Sequence, residues 1–311
     1  MTYIEEYYNK ISSGEIVACK KIKAVYKKLV NDLKKPKKVS FLNKITDEIE
    51  EHTYIFDEKK ANRPIQFIEK YCKHSKGKWA GKPVILELWQ KAHIQALYGF
   101  VDKFVLFVGK KNGKSTEGSG LGLYQLTSDG EGGAEVYSVA TQKDQAKIIW
   151  EEAKRMAAKS PALNKRTRRL VNGIFYDKTE SLFKAVASET DSLDGLNGSA
   201  ILADEIWAWR DKGLLDIMSD SISVREQPII FEFSTMGKIR EAVFDGEYEY
   251  LEAVIKGYEG LEGGIVDETV LPFIYELDEA KEWTDEKAWI KANPNLGITK
   301  TYKYLRDKVE K

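Results

Sequence analysis

Apolar positions near the N-terminus recur at intervals of three and four, with Ile22, Val25, Tyr26, Leu29 and Leu33 on one side, and predict two helices over 3–33. The run Lys34-Lys35-Pro36-Lys37-Lys38 interrupts that spacing. Helical patterns resume at about 41–51 and 64–74, the second with Pro64 placed for a first helical turn. No strand signal precedes residue 83. From Pro83-Val84-Ile85-Leu86 onward, short β-rich runs alternate with helical stretches. A helix at 88–99 leads to the run Phe104-Val105-Leu106-Phe107-Val108, apolar on both faces as a strand buried in a parallel sheet must be. A helix at 114–127, a strand at 134–139 and a long helix at 143–159 follow. Two β-like segments, 168–176 and 181–187, read as a hairpin around Asp177-Lys178. A strand at 200–204, a helix at 212–224, a strand at 229–234 and a helix at 240–257 complete the series. The order predicts an α/β fold with a mainly parallel central sheet flanked by helices. A helical N-terminal or lid region at 1–82, a core at 83–260 and a lid or linker segment at 261–311 are the expected divisions.

Composition narrows the class. Apolar residues make up 42% of the chain, which is enough burial for a globular fold. The two cysteines, Cys19 and Cys72, are far apart and form no disulfide framework. No basic-then-apolar leader and no apolar run near the ~20 residues of a membrane span occur, so no membrane association is expected and a cytosolic setting is. Net charge is zero, yet residues 1–82 hold 19 Lys+Arg against 11 Asp+Glu, and residues 241–311 hold 9 against 17. The basic N-terminal part is a candidate nucleic-acid surface, with solvated lysine-rich helix faces as the alternative.

The chemistry concentrates after the buried strand at 104–108. Gly109-Lys110-Lys111-Asn112-Gly113-Lys114-Ser115 stands between that strand and a helix. Glycines there let successive N–H groups turn toward phosphate oxygens, a lysine bridges the outer phosphates and a hydroxyl ligates magnesium. Lys114 and Ser115 occupy those last two positions, and Gly109 stands one residue later than the first glycine of the common G-x-x-x-x-G-K-[ST] pattern. Ala200-Ile201-Leu202-Ala203-Asp204-Glu205 supplies a buried strand ending in two acids, one to support Mg²⁺ and one to orient an attacking water. Phe231-Glu232-Phe233-Ser234-Thr235-Met236-Gly237 is a third strand exit, whose hydroxyls could sense a γ-phosphate or serve ordinary turn chemistry. Together these predict ATP hydrolysis with ATP and Mg²⁺ as cofactors.

With those motifs in order, the sequence resembles the large terminase subunit of tailed bacteriophages over most of 55–300. Further matching stretches are Glu87-Leu88-Trp89-Gln90, Tyr137-Ser138-Val139-Ala140-Thr141-Gln142, Asp194-Gly195-Leu196-Asn197 and Asn293-Pro294-Asn295-Leu296-Gly297. The resemblance implies a P-loop NTPase fold in which Gln90 reads the adenine edge and Gly109, Lys111, Asn112, Gly113, Lys114, Ser115 and Thr116 hold the nucleotide. Ser115 and Asp204 would support the metal, and Glu205 would activate water, with Lys114 and Lys110 completing the catalytic set. Ser234 and Thr235 fall on the family's coupling motif. Lys110 stands where the family commonly places an arginine, so a partner subunit's arginine becomes a candidate, with Arg155, Arg166, Arg168 and Arg169 as the possible sources.

The resemblance also implies partners: double-stranded DNA, a portal protein, a small terminase subunit and a homo-oligomeric ring, in the cytoplasm of an infected or lysogenic bacterial host. The family's RNase H-like nuclease domain is expected to lie beyond these residues, and no DNA cleavage is expected from them. A helicase-like translocase, or a non-catalytic docking module that kept an ATP fold, are the alternatives. Cys72 with His74 is too small a set for zinc, His52 and His93 sit in helical patterns, and Asp191 and Asp194 read as loop turn residues.

Overall fold

The computed structural model describes residues 1–35, 37–43, 48–54, 56–100, 103–188, 193, 195–210, 212–222, 225, 228–237 and 242–310, with no side-chain description for 37–43, 48–54 and 100. Two N-terminal helices form as the periodicity predicts. Helix α1 (Tyr3–Ser13) starts from a Thr2 capping box closed by Glu5, and ends at Gly14. Helix α2 (Lys20–Asp32) buries Ile22, Val25, Tyr26 and Leu29.

The next stretch departs from the prediction. Residues read as helix at 41–51 instead fall on β1 (Lys37–Asn43) and β2 (Glu48–Tyr54), antiparallel partners in a separate two-stranded sheet. His52 therefore lies on a strand, opposite Val39. The β-branched and aromatic content of Val39, Phe41, Ile49, Thr53 and Tyr54 suits a strand better than the imperfect helical spacing did. Helix α3 (Glu58–Tyr71) begins six residues before Pro64, because Asp57 caps it by accepting from Lys59 N and Lys60 N. Pro64 is thus interior. The run at 83–86 is no strand of the sheet: Pro83 forms an isolated bridge to Lys73, and Val84 N donates to Cys72 O at 3.1 Å.

From α4 (Leu88–Phe100) onward the alternation is as expected. It runs β3 (Lys103–Phe107), α5 (Lys114–Thr127), β4 (Glu135–Ala140), α6 (Lys143–Lys159), α7 (Pro161–Arg166), β5 (Arg168–Arg169), β6 (Ile174–Tyr176) and β7 (Ser181–Ala187). It continues with β8 (Ala200–Asp204), α8 (Gly213–Ser221), β9 (Ile229–Ser234), α9 (Val243–Tyr258), β10 (Val270–Ile274) and α10 (Tyr302–Val309). The central sheet has the order β10-β3-β9-β8-β4-β7-β6-β5. Its first six strands are parallel, and β6 and β5 turn back antiparallel, the predicted hairpin pairing Tyr176 with Ser181.

Two features of that order were not legible. The strands carrying the glycine loop and the acid pair are not neighbours, because β9 lies between β3 and β8. Strand β10, inside the stretch read as lid or linker, completes the sheet beside β3. Pro272 masks it in the sequence, since proline is excluded from central strands but tolerated at an edge. Covered by α2, β10 joins the N-terminal helices to the core: Tyr26 and Phe273 rings lie 5.4 Å apart, and Cys19 Sγ donates to Ile274 O. The strand cores are largely apolar; the buried polar exceptions include Ser138 on β4 and Glu232 on β9, whose Oε1 lies 2.6 Å from the ammonium of Lys103 on β3.

Candidate nucleotide site

Parallel strands deliver their carboxyl ends to one edge of the sheet, where the loops of an α/β fold build ligand sites. Three neighbouring strands, β3, β9 and β8, end there in the glycine loop, in Ser234-Thr235 and in Asp204-Glu205.

The loop from Gly109 to Gly113 reverses the chain between β3 and α5. Gly113 holds φ at +94° as the N-cap of α5, a conformation that glycine adopts without strain and that leaves the helix N-terminus open toward the loop. Lys111 is also left-handed, at φ +70°. Asn112 is fully buried and its amide donates to Gly109 O at 2.8 Å, cross-bracing the loop. Lys114 is buried, with Nζ 3.4 Å from Val108 O and 3.9 Å from Glu205 Oε1. Burial lowers its pKa, opposed by the charges of Glu205 and Asp204. Ser115 and Thr116 follow in the first turn of α5, half-buried.

Asp204 is buried at the end of β8 and its Oδ1 has no hydrogen-bond partner. Burial first, and then the neighbouring Glu205, raise its pKa to about 7. A carboxylate oxygen so placed, without a donor, fits a divalent cation. Glu205 is left-handed at φ +52°, a conformation costly for a residue with a Cβ and often found at functional sites. That turn aims its carboxylate back across the strand ends. Glu205 Oε2 accepts from Trp207 Nε1 and, at 3.2 Å, from Thr235 Oγ1. Ser234 faces the same turn: its Oγ accepts from Trp207 N at 3.2 Å, and its carbonyl accepts from Val108 N at 3.1 Å. The structure therefore brings Lys114, Asp204, Glu205, Ser234 and Thr235 together. Lys110 is exposed and reaches the group indirectly, its ammonium 5.7 Å from the Trp207 ring centre.

Beside the loop opens a cavity of about 530 Å³, bordered by Trp79, Val84, Leu86, Gln90, Gly113 and Thr116. Gln90 is held on its rim: Oε1 accepts from Glu87 N at 3.0 Å, and Nε2 donates to Glu117 Oε2 at 2.9 Å. Glu117, on the first turn of α5, is held by His93 Nε2 at 2.6 Å. Both Glu117 and His93 are buried and neither stood out in the sequence. His93 read as a residue of a helical pattern with a surface or core role, and only its position three after Gln90 hinted at a shared face.

The second group that sequence reasoning missed comes from beyond β10. Residues 292–300 lie across the glycine loop: Gly109 N donates to Ala292 O at 3.1 Å, and Asn295 N donates to Asn112 Oδ1 at 2.9 Å. Asn295 Nδ2 donates to Asn112 O at 3.0 Å, and its Oδ1 accepts from Trp89 Nε1 at 2.7 Å. Thr299 Oγ1 donates to Lys111 O at 2.6 Å. The Asn-Pro-Asn-Leu-Gly stretch stands out in the sequence only as part of the family resemblance, and its partner Asn112 is 183 positions away, so its role needed the fold.

Other candidates lie elsewhere. Arg155, Arg166, Arg168 and Arg169 sit on α6, α7 and β5, and β5 is the edge strand at the end of the sheet away from β3. Arg155 pairs with Glu151 and Glu152, and Arg168 with Asp177. Cys72 is a buried free thiol. Among the described residues no group of three or more His, Cys, Asp or Glu is placed to hold a metal. Asp191 and Asp194 lie outside the described residues.

Comparison with known proteins gives the family and the fold. A family model for the terminase large subunit, ATPase domain, matches residues 88–253. A second, for the terminase large subunit, endonuclease domain, matches residues 265–311. The stretch read as lid or linker is therefore where part of the endonuclease model falls, correcting the expectation that this domain lies wholly beyond the chain. The chain is 24% identical over 262 residues to the large terminase subunit of Enterobacteria phage HK97, covering 81% of this chain and 49% of that protein. It is 27% identical over 113 residues to protein YmfN of Escherichia coli K12, covering 36% and 23%. The crystal structure of the HK97 large terminase superposes with a TM-score of 0.70 at 22% identity, covering 80% of this chain and 51% of that one. The chain spans about half the length of that relative. With the ATPase-domain model matching more than half of its residues, over the segment that carries the glycine loop, Asp204, Glu205 and Thr235, the chain belongs to the terminase large-subunit family.

Proposed function

We propose that this chain hydrolyses ATP and that the hydrolysis drives double-stranded DNA into a viral capsid. The observation that carries the reading is the convergence of Lys114, Asp204, Glu205 and Thr235 at the ends of three adjacent strands. ATP would lie with its base in the cavity beside Gln90 and its phosphates over Gly109, Lys111, Asn112, Gly113 and Thr116, at the N-terminus of α5. Lys114 would neutralise charge on the outer phosphates. Ser115 and Asp204 would hold Mg²⁺, which when bound supplies further charge neutralisation on the phosphates. Glu205, fixed by Trp207 and Thr235, would accept a proton from the attacking water.

The family resemblance extends the proposal to partners: a portal protein, a small terminase subunit and a ring of identical subunits around DNA. In such a ring an arginine of a neighbour would complete the site, with Arg155, Arg166, Arg168 and Arg169 as the candidate sources. The host cytoplasm follows as the place of action. Phosphate release from Mg²⁺-ATP, with and without double-stranded DNA, tests the core of the reading. Turnover in the parent chain that is lost in Lys114→Met supports it. Absence of both nucleotide binding and turnover, with DNA and neighbours present, overturns it.

A further inference from the structure

We propose that Lys300 is a second phosphate-binding lysine of the nucleotide site, supplied by the segment that follows β10 and held at the loop mouth by Asn293. This rests on the ATP-site reading above and adds to it a ligand contact from outside the matched ATPase segment. Lys300 is buried, and its Nζ donates to Asn293 Oδ1. Asn293 Oδ1 in turn stands against the first residue of the glycine loop. It lies 3.4 Å from Asn112 Nδ2, and a Cβ on Gly109 would come within 2.6 Å of it. That contact gives a reason for glycine at 109 independent of its backbone angles. Lys300 is fixed from the other side by its own carbonyl, which accepts from Gly297 N at 2.7 Å, and by the bridge pairing Leu296 with Lys300.

Two buried ammonium groups thus border one short loop: Lys114 against Val108 O, and Lys300 against the amide that touches Gly109. Among the described residues no carboxylate pairs with Lys300, and its bonded partner is a neutral amide. Burial, with the charge of Lys114 next, lowers its pKa to about 8. A buried cation without a counter-charge, beside a second cation, is unfavourable in the empty protein. An anion between the two removes that penalty, and a phosphate chain laid on the glycine loop is the anion this mouth is shaped to receive. Nearby Asp204 and Glu205 face Lys114 rather than Lys300, so they leave its charge uncompensated. The arrangement also ties nucleotide occupancy to the chain segment in which the endonuclease model finds its match.

The test compares the parent chain with Lys300→Gln, whose amide retains a donor for Asn293 without the charge, and with Lys300→Arg. Binding of a fluorescent ATP analogue is titrated, with ATP and AMP as competitors. ATP affinity is expected to fall about tenfold in Lys300→Gln while AMP affinity changes less than about twofold, and Lys300→Arg to recover most of the loss. Equal weakening of ATP and AMP, or unchanged ATP affinity in Lys300→Gln, overturns the assignment. If Lys114→Met abolishes ATP binding while Lys300→Gln does not alter it, the ATP-site reading stands and this inference alone falls. If the parent chain binds no ATP, both fall.

Discussion

Thr235 Oγ1 donates a 3.2 Å hydrogen bond to Glu205 Oε2, linking the residue after β9 to the residue after β8. Because β9 runs between the loop strand β3 and the acid strand β8, any shift of Ser234-Thr235 moves the donor that orients the glutamate. Replacing Thr235 by Val keeps its shape and removes that donor. ATP turnover is expected to fall roughly tenfold with little change in KM, because a group orienting the base is lost and no ground-state contact is. Glu205→Gln is expected to retain nucleotide binding and lose about 10²–10⁴ in turnover. Steady-state phosphate release with parallel nucleotide titration measures both. Unchanged turnover in Glu205→Gln would reject it as the base.

Asp204 has the opposite character, since its carboxylate is a liability to the empty fold. Its ordinary pKa of 3.8 is raised to about 7, chiefly by burial and then by Glu205. Between those values the folded chain keeps a proton that the unfolded chain has released. Stability therefore falls as pH rises from about 4 to about 7 and levels off above. Asp204→Asn lacks that dependence. In the absence of Mg²⁺ and nucleotide, it is expected to be more stable than the parent at pH 8, on the order of 2 kcal/mol, with the gap closing toward pH 4. Thermal melts across that range measure it, and a gap independent of pH would count against a buried, protonated Asp204. Hydrolysis in the same variant is expected to be lost.

What the sequence showed and hid at this site follows from interaction range. The helix at 114–127 and the long helix at 143–159 are read correctly to the residue because glycine and polar caps mark local boundaries. Strands β3, β8 and β9 are short and largely apolar, and they too are legible. The strand order is not, because no local signal tells β8 to pair with β9 and β4 rather than with β3. For the same reason Lys114 and Asp204 could be named while Glu117, Trp207, Asn295 and Lys300 could not. Their roles follow from contacts that the fold creates: Glu117 bonds Gln90 on α4, Trp207 N donates to Ser234 Oγ, Asn295 bonds Asn112 of the loop, and Lys300 meets the loop only through Asn293. Strand β10 was hidden by Pro272, and β1 and β2 by a weak helical spacing that tertiary pairing overrode.

Asn295 gives that long-range contact a stability test. It is buried and bonds Trp89 Nε1 and both the side chain and carbonyl of Asn112. Alanine there leaves the indole N–H of Trp89 and the Asn112 carbonyl without partners in a dry interior. A loss of about 2–3 kcal/mol in unfolding free energy is expected. Asn112 braces the loop through Gly109 O, so ATP affinity is expected to fall as well. Denaturant unfolding and nucleotide titration give the two values. Full stability in Asn295→Ala would mean that the 292–300 segment does not dock on the loop.

The lysines near the N-terminus provide the last expectation, and the fold changes which of them to test. The basic and acidic flanks meet: Lys21 pairs with Glu252 and Glu276, at 2.9 and 2.6 Å, and Lys28 with Glu268 at 3.0 Å. These two are occupied in holding α2 against α9 and the β10 segment, and their charge is neutralised within the chain. Lys20, Lys23, Lys27, Lys34 and Lys35 remain exposed on or just after α2. If this face meets the DNA backbone, neutralising Lys23, Lys27, Lys34 and Lys35 to Gln should weaken double-stranded DNA binding and flatten its salt dependence. The slope of log K against log salt should shrink by about 0.9 for each phosphate contact removed. Lys21→Gln, by contrast, should lower stability and leave the salt slope as it was. Fluorescence anisotropy of a labelled duplex across a salt series separates the two. An unchanged slope in the fourfold variant would remove this face from the DNA path and leave its lysines as a solvated helix surface.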